Sequence, residues 1–127
     1  MSDPLTTVRA FFDLAGSGGN LMAALDQYCG DDLVWENTGL PTATGIDEAR
    51  AFMTGFIDGY GLDAMVVEVK AIAVAGDSVL TERIDHLNAK DGSTIAALPV
   101  SGTFVVRDGK IRAWRDYFDP RPFLPQS

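Results

Sequence analysis

Two short runs of the chain contain the residue types best suited to chemistry, at positions 81–86 and 114–119. Each run has the composition of a β-strand, in which alternate side chains point to the same face. Arg83 and Asp85 therefore share one face of the first strand, and Asp116 shares a face with apolar neighbours in the second. Charged groups on an apolar face are costly to bury unless they are paired or used. These three residues are the leading catalytic candidates.

The charges of these residues predict an acid and a base in one place. If a curved sheet brings Asp116 opposite Arg83 and Asp85, the guanidinium can bridge both carboxylates through its planar fork of donors. Two carboxylates against one guanidinium leave an excess negative charge. Like charges about 4 Å apart at an effective dielectric near 20 repel by roughly 4 kcal/mol, or about three pKa units. One acid is therefore expected to keep its proton near neutral pH while the other is ionised.

Alternation alone leaves a second interpretation open. The opposite face of the first run carries Glu82, Ile84 and His86 and is also mixed, so Arg83 and Asp85 are an exposed surface pair if the faces are reversed. His86 lies on the face opposite Asp85 and is expected to be structural or interfacial. A Ser-His-Asp arrangement is therefore not expected.

Asn37 is the fourth candidate, because it closes a predicted strand on the face that carries Leu33 and Trp35. An amide there can hold a water molecule through its donor and its acceptor together. The competing interpretation is an asparagine that caps the following loop.

The composition limits the classes of function. A chain of 127 residues with 46% hydrophobic and 22% charged residues predicts one globular domain over residues 1–127. The net charge of −8 argues against nucleic acids and anionic membrane surfaces as partners. One cysteine and one histidine are too few for a zinc site built from thiolates and imidazoles. Without a long apolar run or a leader pattern, a cytoplasmic protein is expected.

The order of predicted elements indicates an α+β fold. Helices come first, and four long strands joined by short glycine-containing turns follow as an antiparallel meander. The helices are expected to cover one face of a curved sheet and to leave a pocket between them. Pro99, inside the third long strand, predicts a bulge, a bend or an edge position. The predicted helices lie at 4–15, 21–29 and 49–57, the strands at 31–37, 65–74, 78–88, 93–107 and 110–119, and an extended tail at 120–127.

Several of these segments together resemble the limonene-1,2-epoxide hydrolase family. The resemblance rests on the residues at 35–37, 39–41, 81–85, 109–111 and 114–119 and spans nearly the whole chain. It implies a cone-shaped α+β domain related to ketosteroid isomerases, SnoaL-like polyketide cyclases and nuclear transport factor 2. It also implies a deep apolar pocket, no metal or organic cofactor, and a homodimer.

The resemblance implies roles for the polar residues. Asp116 would take a proton from water, Asp85 would protonate the epoxide oxygen, Arg83 would bridge the two acids, and Asn37 would help to hold the water. The chain departs from the family at Trp35, where a tyrosine is typical. An indole donates one hydrogen bond but accepts none, and its larger ring narrows the pocket.

The leading hypothesis is a cofactor-independent epoxide hydrolase that converts a small hydrophobic epoxide to a vicinal diol. Because of the indole at position 35, an altered substrate or a related activity without a held water also stays open, with Tyr28 or Tyr60 as other sources of a hydroxyl. The alternatives are an isomerase or polyketide-cyclase-like enzyme of the same fold, and a non-catalytic protein that binds apolar ligands. The residues expected to line the pocket are Trp35, Met53, Phe56, Leu80, Leu98, Phe104, Trp114 and Phe118.

Overall fold

The helices precede most of the sheet in the chain, as the sequence predicts. The computed structural model describes residues 3–125. Its elements are α1 (Pro4–Ala15), α2 (Leu21–Tyr28), β1 (Cys29–Asn37), β2 (Ala43–Thr44), α3 (Ile46–Tyr60), β3 (Leu62–Ala75), β4 (Ser78–Ala89), β5 (Thr94–Arg107), β6 (Lys110–Tyr117) and a short 3₁₀ helix (Arg121–Phe123).

The six strands form one curved, open sheet in the order β2-β1-β6-β5-β4-β3. The four long strands pair as the predicted antiparallel meander. At the β5–β6 turn, Asp108 and Gly109 have φ angles of 54° and 71°, as a tight two-residue hairpin requires. Two features were not predicted: β1 pairs with β6 in parallel, and β2 lies within the predicted loop before α3.

The N-terminal helix begins as its sequence predicts. The Asp3 side chain accepts a hydrogen bond from the Leu5 backbone N–H at 2.8 Å, and Pro4 occupies the first helical position. The side chain of Asn20 makes no capping bond at α2, and it donates instead to Ser17 Oγ. α3 is longer than predicted at both ends and stops at Gly61, whose φ is 69°.

The inner face of β4 carries the charged residues. Along this strand Val79, Thr81, Arg83, Asp85 and Leu87 are buried, whereas the intervening side chains are exposed or half-buried. The predicted face is therefore correct, and the interpretation of Arg83 and Asp85 as an exposed surface pair is wrong.

The predictions for Pro99 and for the C-terminal tail had different outcomes. Pro99 pairs with Ile84 of β4, while the β5–β6 pairing ends at Ser101, so Pro99 lies at a local edge as expected. The tail is not extended over residues 121–123, because it forms the 3₁₀ helix and packs Phe123 against Phe56. Residues 126 and 127 of the predicted tail lie outside the described residues.

Candidate functional site

Sheet register brings the candidate residues of different strands into one row. Asn37 of β1 is paired with Asp116 of β6, Asp116 with Gly102 of β5, and Gly102 with Thr81 of β4. Arg83 and Asp85 continue along the same face of β4. Asn37 and Asp116 are neighbours because β1 and β6 run parallel.

Arg83 joins the two predicted acids. Its Nε donates to Asp85 Oδ1 at 2.8 Å and its Nη2 to Asp85 Oδ2 at 3.1 Å. Nη2 also donates to Asp116 Oδ2 at 2.6 Å, and Nη1 donates to Thr81 Oγ1 at 2.9 Å. The Arg83 side chain is fully buried, and those of Asp85 and Asp116 are 5% exposed. The three residues predicted from strand alternation therefore form one buried cluster.

Gly102 makes room for this cluster. A Cβ at this position would lie 2.6 Å from Arg83 Nη1 and closer still to Asp116 Oδ1. Any side chain would push the guanidinium and the carboxylate apart. Without a Cβ at Gly102, Arg83 can reach across β5 from β4 to β6.

The two oxygens of Asp116 have different surroundings. Oδ2 accepts from Arg83 Nη2 and from Trp114 Nε1, the latter at 2.8 Å. Oδ1 is buried and has no hydrogen-bond partner among residues 3–125. Burial raises the pKa of Asp116 to about 6, against the lowering effect of Arg83 and with a further rise from the charge of Asp85. A carboxylate with this pKa and a free oxygen is suited to accept a proton near neutral pH.

Asn37 presents a free donor beside Asp116. Its Nδ2 is buried and has no hydrogen-bond partner in the described part of the chain, and the same holds for Nε1 of Trp35. Both residues line the same cavity as Asp116. The amide nitrogen of Asn37 therefore does not cap the following loop.

The cavity beside the cluster has a volume of about 70 Å³. Among residues 3–125, three polar side chains reach it, those of Asn37, Asp85 and Asp116, and the rest of the lining is apolar. A single water needs about 10–15 Å³ on this measure, so the cavity can hold a water beside a small apolar group. The predicted pocket residues that line it are Trp35, Met53, Phe56, Leu98, Trp114 and Phe118.

Two predicted pocket residues do not line the cavity. Leu80 is 45% exposed, because it lies between Val79 and Thr81 and alternation turns it to the outer face. Phe104 is fully buried in the core, with its ring 5.4 Å from that of Phe12, and it stacks over the guanidinium of Arg83. Phe104 therefore packs against Arg83 of the cluster from the core and not from the cavity.

Aromatic residues of the helices and the tail also line the cavity. Phe52 and Phe123 were not predicted there. The signal for Phe123 was weak, because a single aromatic residue in a proline-rich tail does not reveal where that tail packs. Tyr28 and Tyr60 do not line the cavity, since the Tyr28 hydroxyl accepts from Gln27 and Tyr60 is 44% exposed.

The remaining structural findings concern other kinds of site. His86 Nε2 lies 3.1 Å from Glu68 Oε1 on the outer face of the sheet, away from the acids, as predicted. Within residues 3–125, His, Cys, Asp and Glu side chains form no group of three or more suited to a metal ion. No helix in this part of the chain has both the length and the apolar character needed to cross a membrane.

Solved structures with low sequence identity share the fold of this chain. An NTF2-like protein of unknown function from Burkholderia pseudomallei matches with a TM-score of 0.76 at 18% identity, over 97% of this chain and 95% of its own. A protein from Jannaschia that is provisionally described as a SnoaL-like polyketide cyclase matches with a TM-score of 0.74 at 19% identity. The match covers 94% of this chain and 88% of that protein.

Two proteins of higher sequence identity are named epoxide hydrolases. The structure of a Mycobacterium tuberculosis LEH-like epoxide hydrolase matches with a TM-score of 0.74 at 31% identity, over 94% of this chain and 84% of its own. Epoxide hydrolase EphG of Mycobacterium tuberculosis (strain ATCC 25618 / H37Rv) is 37% identical over 95 residues, which are 75% of this chain and 60% of that protein. The alignment thus spans less than two thirds of EphG. A family model, the limonene-1,2-epoxide hydrolase catalytic domain, matches residues 2–126, and the chain therefore belongs to the limonene-1,2-epoxide hydrolase family.

Proposed function

We propose that this chain is an epoxide hydrolase that adds water to a small hydrophobic epoxide and gives a vicinal diol without a cofactor. The observation that carries this proposal is the bridge from Arg83 to both Asp85 and Asp116 at the wall of an apolar cavity. The family membership and the relatives named epoxide hydrolases support it.

Asp116 is the base of this mechanism. Its Oδ2 is held by Arg83 and Trp114, so Oδ1 is the oxygen free to take a proton from water. Asn37 lies beside it and offers an amide to the same water. General acid and base groups of this kind each contribute about 10²–10⁴-fold to a rate.

Asp85, in its protonated form, is the acid. The water oxygen bonds to one epoxide carbon while its proton passes to Asp116. The carbon–oxygen bond of the ring breaks as Asp85 gives its proton to the epoxide oxygen. Every bond change occurs between water, substrate and the two acids, so no covalent ester forms. The proton then returns from Asp116 to Asp85, and Arg83 contacts both groups throughout.

The lining of the cavity supports a small substrate of low polarity. Apart from the three polar side chains, the walls formed by the described residues are aliphatic and aromatic. A largely apolar epoxide fits such walls, because it carries few polar groups that would need hydrogen-bond partners there.

An isomerase or cyclase of the same fold is the second candidate. Trp35 favours it, because the indole cannot accept a hydrogen bond from water and a carbonyl substrate would need no held water. Asp116 would then remove a proton beside the carbonyl. A non-catalytic protein that binds apolar ligands would need only the cavity, and this function does not account for the buried acids.

We also propose that the chain is a cytoplasmic homodimer. The sheet face opposite the helices exposes Val66, Leu80 and Tyr117, which supports burial of this face against a second copy. Sedimentation is expected to give the mass of two chains, and the mass of a single chain would contradict this proposal.

The test of the proposed reaction is a single turnover in oxygen-18 water with a panel of small epoxides. We expect a diol that carries one labelled oxygen, since water attacks carbon directly. An unlabelled diol would point to an ester with a protein carboxylate, and a wild type that forms no diol would overturn the function.

Matched variants test the role of Asp116. The Asp116→Asn variant is expected to lower diol formation by about 10²–10⁴-fold, because the base is removed. Asp119→Asn is the control, since Asp119 is an exposed acid in the same run of residues and is paired with Arg121. Equal activity of the two variants would contradict the proposed base.

A further inference from the structure

Thr81 is a buried polar residue whose hydroxyl group is bonded on two sides. The residue is 6% exposed. Its Oγ1 accepts a hydrogen bond from Arg83 Nη1 at 2.9 Å and donates one to the backbone carbonyl oxygen of Gly102, also at 2.9 Å. A hydroxyl has one proton to give, and here Gly102 takes it, so toward the guanidinium Thr81 acts only as an acceptor. Thr81 thus connects Arg83 to the backbone of β5.

The polar partners of the guanidinium lie in different directions. Thr81 comes two residues before Arg83 and Asp85 two residues after it, on the same face of β4. The sheet register places Thr81 opposite Gly102 and Gly102 opposite Asp116. Thr81 therefore lies in the same row across the sheet as Asp116, whereas Asp85 is four residues further along β4.

We propose that Thr81 is a positioning residue that holds the guanidinium of Arg83 in the row of Asp116, against the attraction of Asp85. Asp85 accepts two hydrogen bonds from Arg83, whereas Asp116 accepts one. A bidentate carboxylate is the stronger partner, so the arginine would otherwise move toward Asp85. The bond to Thr81 opposes this movement, because it fixes Nη1 at the other side of the guanidinium.

The apolar neighbours of Arg83 do not replace this bond. The rings of Phe12 and Phe104 have their centroids 5.7 and 5.4 Å from Arg83 Cζ. Such contacts have less directional preference than hydrogen bonds, so the polar partners decide where the guanidinium lies along β4. The side chain of Thr81 is suited to this task, because a β-branched residue is stiff at χ1 and its hydroxyl is bonded to the neighbouring strand.

A neutral partner has a specific use in the proposed reaction, and this step rests on the proposed hydrolase function. During turnover a negative charge passes from Asp116 to Asp85 and back. The guanidinium is attracted to whichever acid is ionised, whereas the hydroxyl of Thr81 keeps the same charge throughout. Thr81 therefore keeps Arg83 in contact with both acids in either charge state.

The first test measures the pKa of Asp116 without any substrate. Thr81→Val keeps the branched shape and removes the hydroxyl, so the guanidinium is expected to move toward Asp85. Arg83 lowers the pKa of Asp116, and the charge of Asp85 raises it. Carbon-13 carboxyl spectra are therefore expected to give a pKa about half a unit higher in Thr81→Val than in wild type. An unchanged pKa would overturn the positioning role.

Two control variants separate the bond from packing. Thr81→Ser keeps the hydroxyl and is expected to show the wild-type pKa of Asp116. Among residues 3–125, Thr7 in α1 is the other buried threonine, and Thr7→Val is expected to leave this pKa unchanged. If Thr81→Ser raised the pKa as much as Thr81→Val, the lost methyl group would be the cause and the proposal would be wrong.

A measurement on the wild type does not depend on the folding of any variant. The Thr81 hydroxyl proton is buried and bonded to a carbonyl oxygen, so it is expected to exchange slowly with water and to give an observable proton signal. Thr54 is exposed in α3 and is the reference for fast exchange. Exchange of the Thr81 proton as fast as that of Thr54 would overturn the proposed bond.

The second test measures turnover. Thr81 does not line the cavity, so Thr81→Val is expected to lower kcat about tenfold with little change in KM. The acid limb of the pH profile of kcat/KM is expected to move to higher pH with the pKa of Asp116, and Thr81→Ser is expected to restore both.

The outcomes distinguish the positioning role from the hydrolase function. Equal losses of kcat in Thr81→Val and Thr81→Ser, or an acid limb that does not move, would overturn the positioning role. A raised pKa of Asp116 in Thr81→Val, together with a wild type that forms no diol, would support the positioning of Arg83 and overturn the hydrolase.

Discussion

Two arginine–aspartate clusters of this chain have the same local chemistry and opposite surroundings. Arg83 and Asp85 are two residues apart, as are Asp119 and Arg121. The first pair makes two N–H to carboxylate contacts and the second makes three, all between 2.7 and 3.1 Å. The first arginine is fully buried, whereas the side chain of the second is 84% exposed. Contact distances therefore do not distinguish a buried cluster from a surface ion pair.

The pKa shifts of two aspartates do distinguish the buried cluster from the exposed one. Asp116 and Asp119 are three residues apart, and each is bound by an arginine. Burial raises the pKa of Asp116 to about 6, whereas the hydrogen bond from Arg121 lowers the pKa of the exposed Asp119. An arginine neighbour lowers the pKa of both carboxyl groups, but the net shift is downward only where desolvation is small. Burial, supplied by the fold, is what raises the pKa of Asp116 towards neutral pH.

A side chain at position 102 is expected to have the largest effect on the difference between the buried cluster and the exposed one. Gly102→Ala places a Cβ against Asp116 Oδ1 and Arg83 Nη1 and forces the buried cluster apart. We expect diol formation to fall by about a hundredfold and the free energy of unfolding to fall by about 1–3 kcal/mol. Diol assays and urea titrations measure the two effects.

Gly55→Ala is the matched control for this substitution. A Cβ at Gly55 meets nothing within 4 Å, and the position is inside α3. This variant is expected to be more stable by about 0.5–1 kcal/mol, with unchanged activity. If Gly102→Ala were as active as Gly55→Ala, the cluster would not need its present spacing.

The buried charge of Asp116 should also appear in the pH dependence of stability. Because its folded pKa lies above its ordinary value of 3.8, the stability from the protonated form is complete below pH 3.8 and is lost as pH rises through about 6. Asp116→Asn cannot ionise, so from pH 4 to 7 wild type should lose up to about 3 kcal/mol relative to it. Urea titrations across this range measure the difference, and a constant gap would contradict it.

The smallest effect is expected at the exposed cluster. Asp119→Asn keeps an oxygen that can accept from the Arg121 backbone N–H, and the ion pair that it removes is in solvent. We expect a melting temperature within about 2 °C of wild type between pH 4 and 8. A shift comparable to that of Asp116→Asn would mean that exposure does not separate the two clusters.

The catalytic candidates were predictable because strand alternation is a local signal. The apolar residues around Arg83 and Asp85 marked the inner face of β4, and the short turns between strands predicted the meander that brings Asp116 near them. Leu80 was misassigned although the same alternation places it outside. Phe104 was wrongly predicted to line the pocket. It is buried in the core, and burial alone does not say which inner residues reach the cavity.

The features that were missed depend on contacts between distant parts of the chain. No turn in the sequence indicates that β1 pairs in parallel with β6. The two-residue strand β2 forms only because β1 lies beside it. The position of Phe123 depends on where the tail packs. The orphaned Nε1 of Trp35 likewise follows from the stacking of two indoles on neighbouring strands.

The parallel pairing of β1 and β6 has a consequence for the order of folding. The backbone N–H of Thr38, next to Asn37, donates to the carbonyl oxygen of Asp116 at 3.1 Å, and these residues are 78 positions apart. Contacts of such sequence separation form late and slow the folding of a domain. On the ribosome, Asn37 emerges long before Asp116, so the nascent chain cannot assemble the row of Asn37, Arg83, Asp85 and Asp116 until β6 is released.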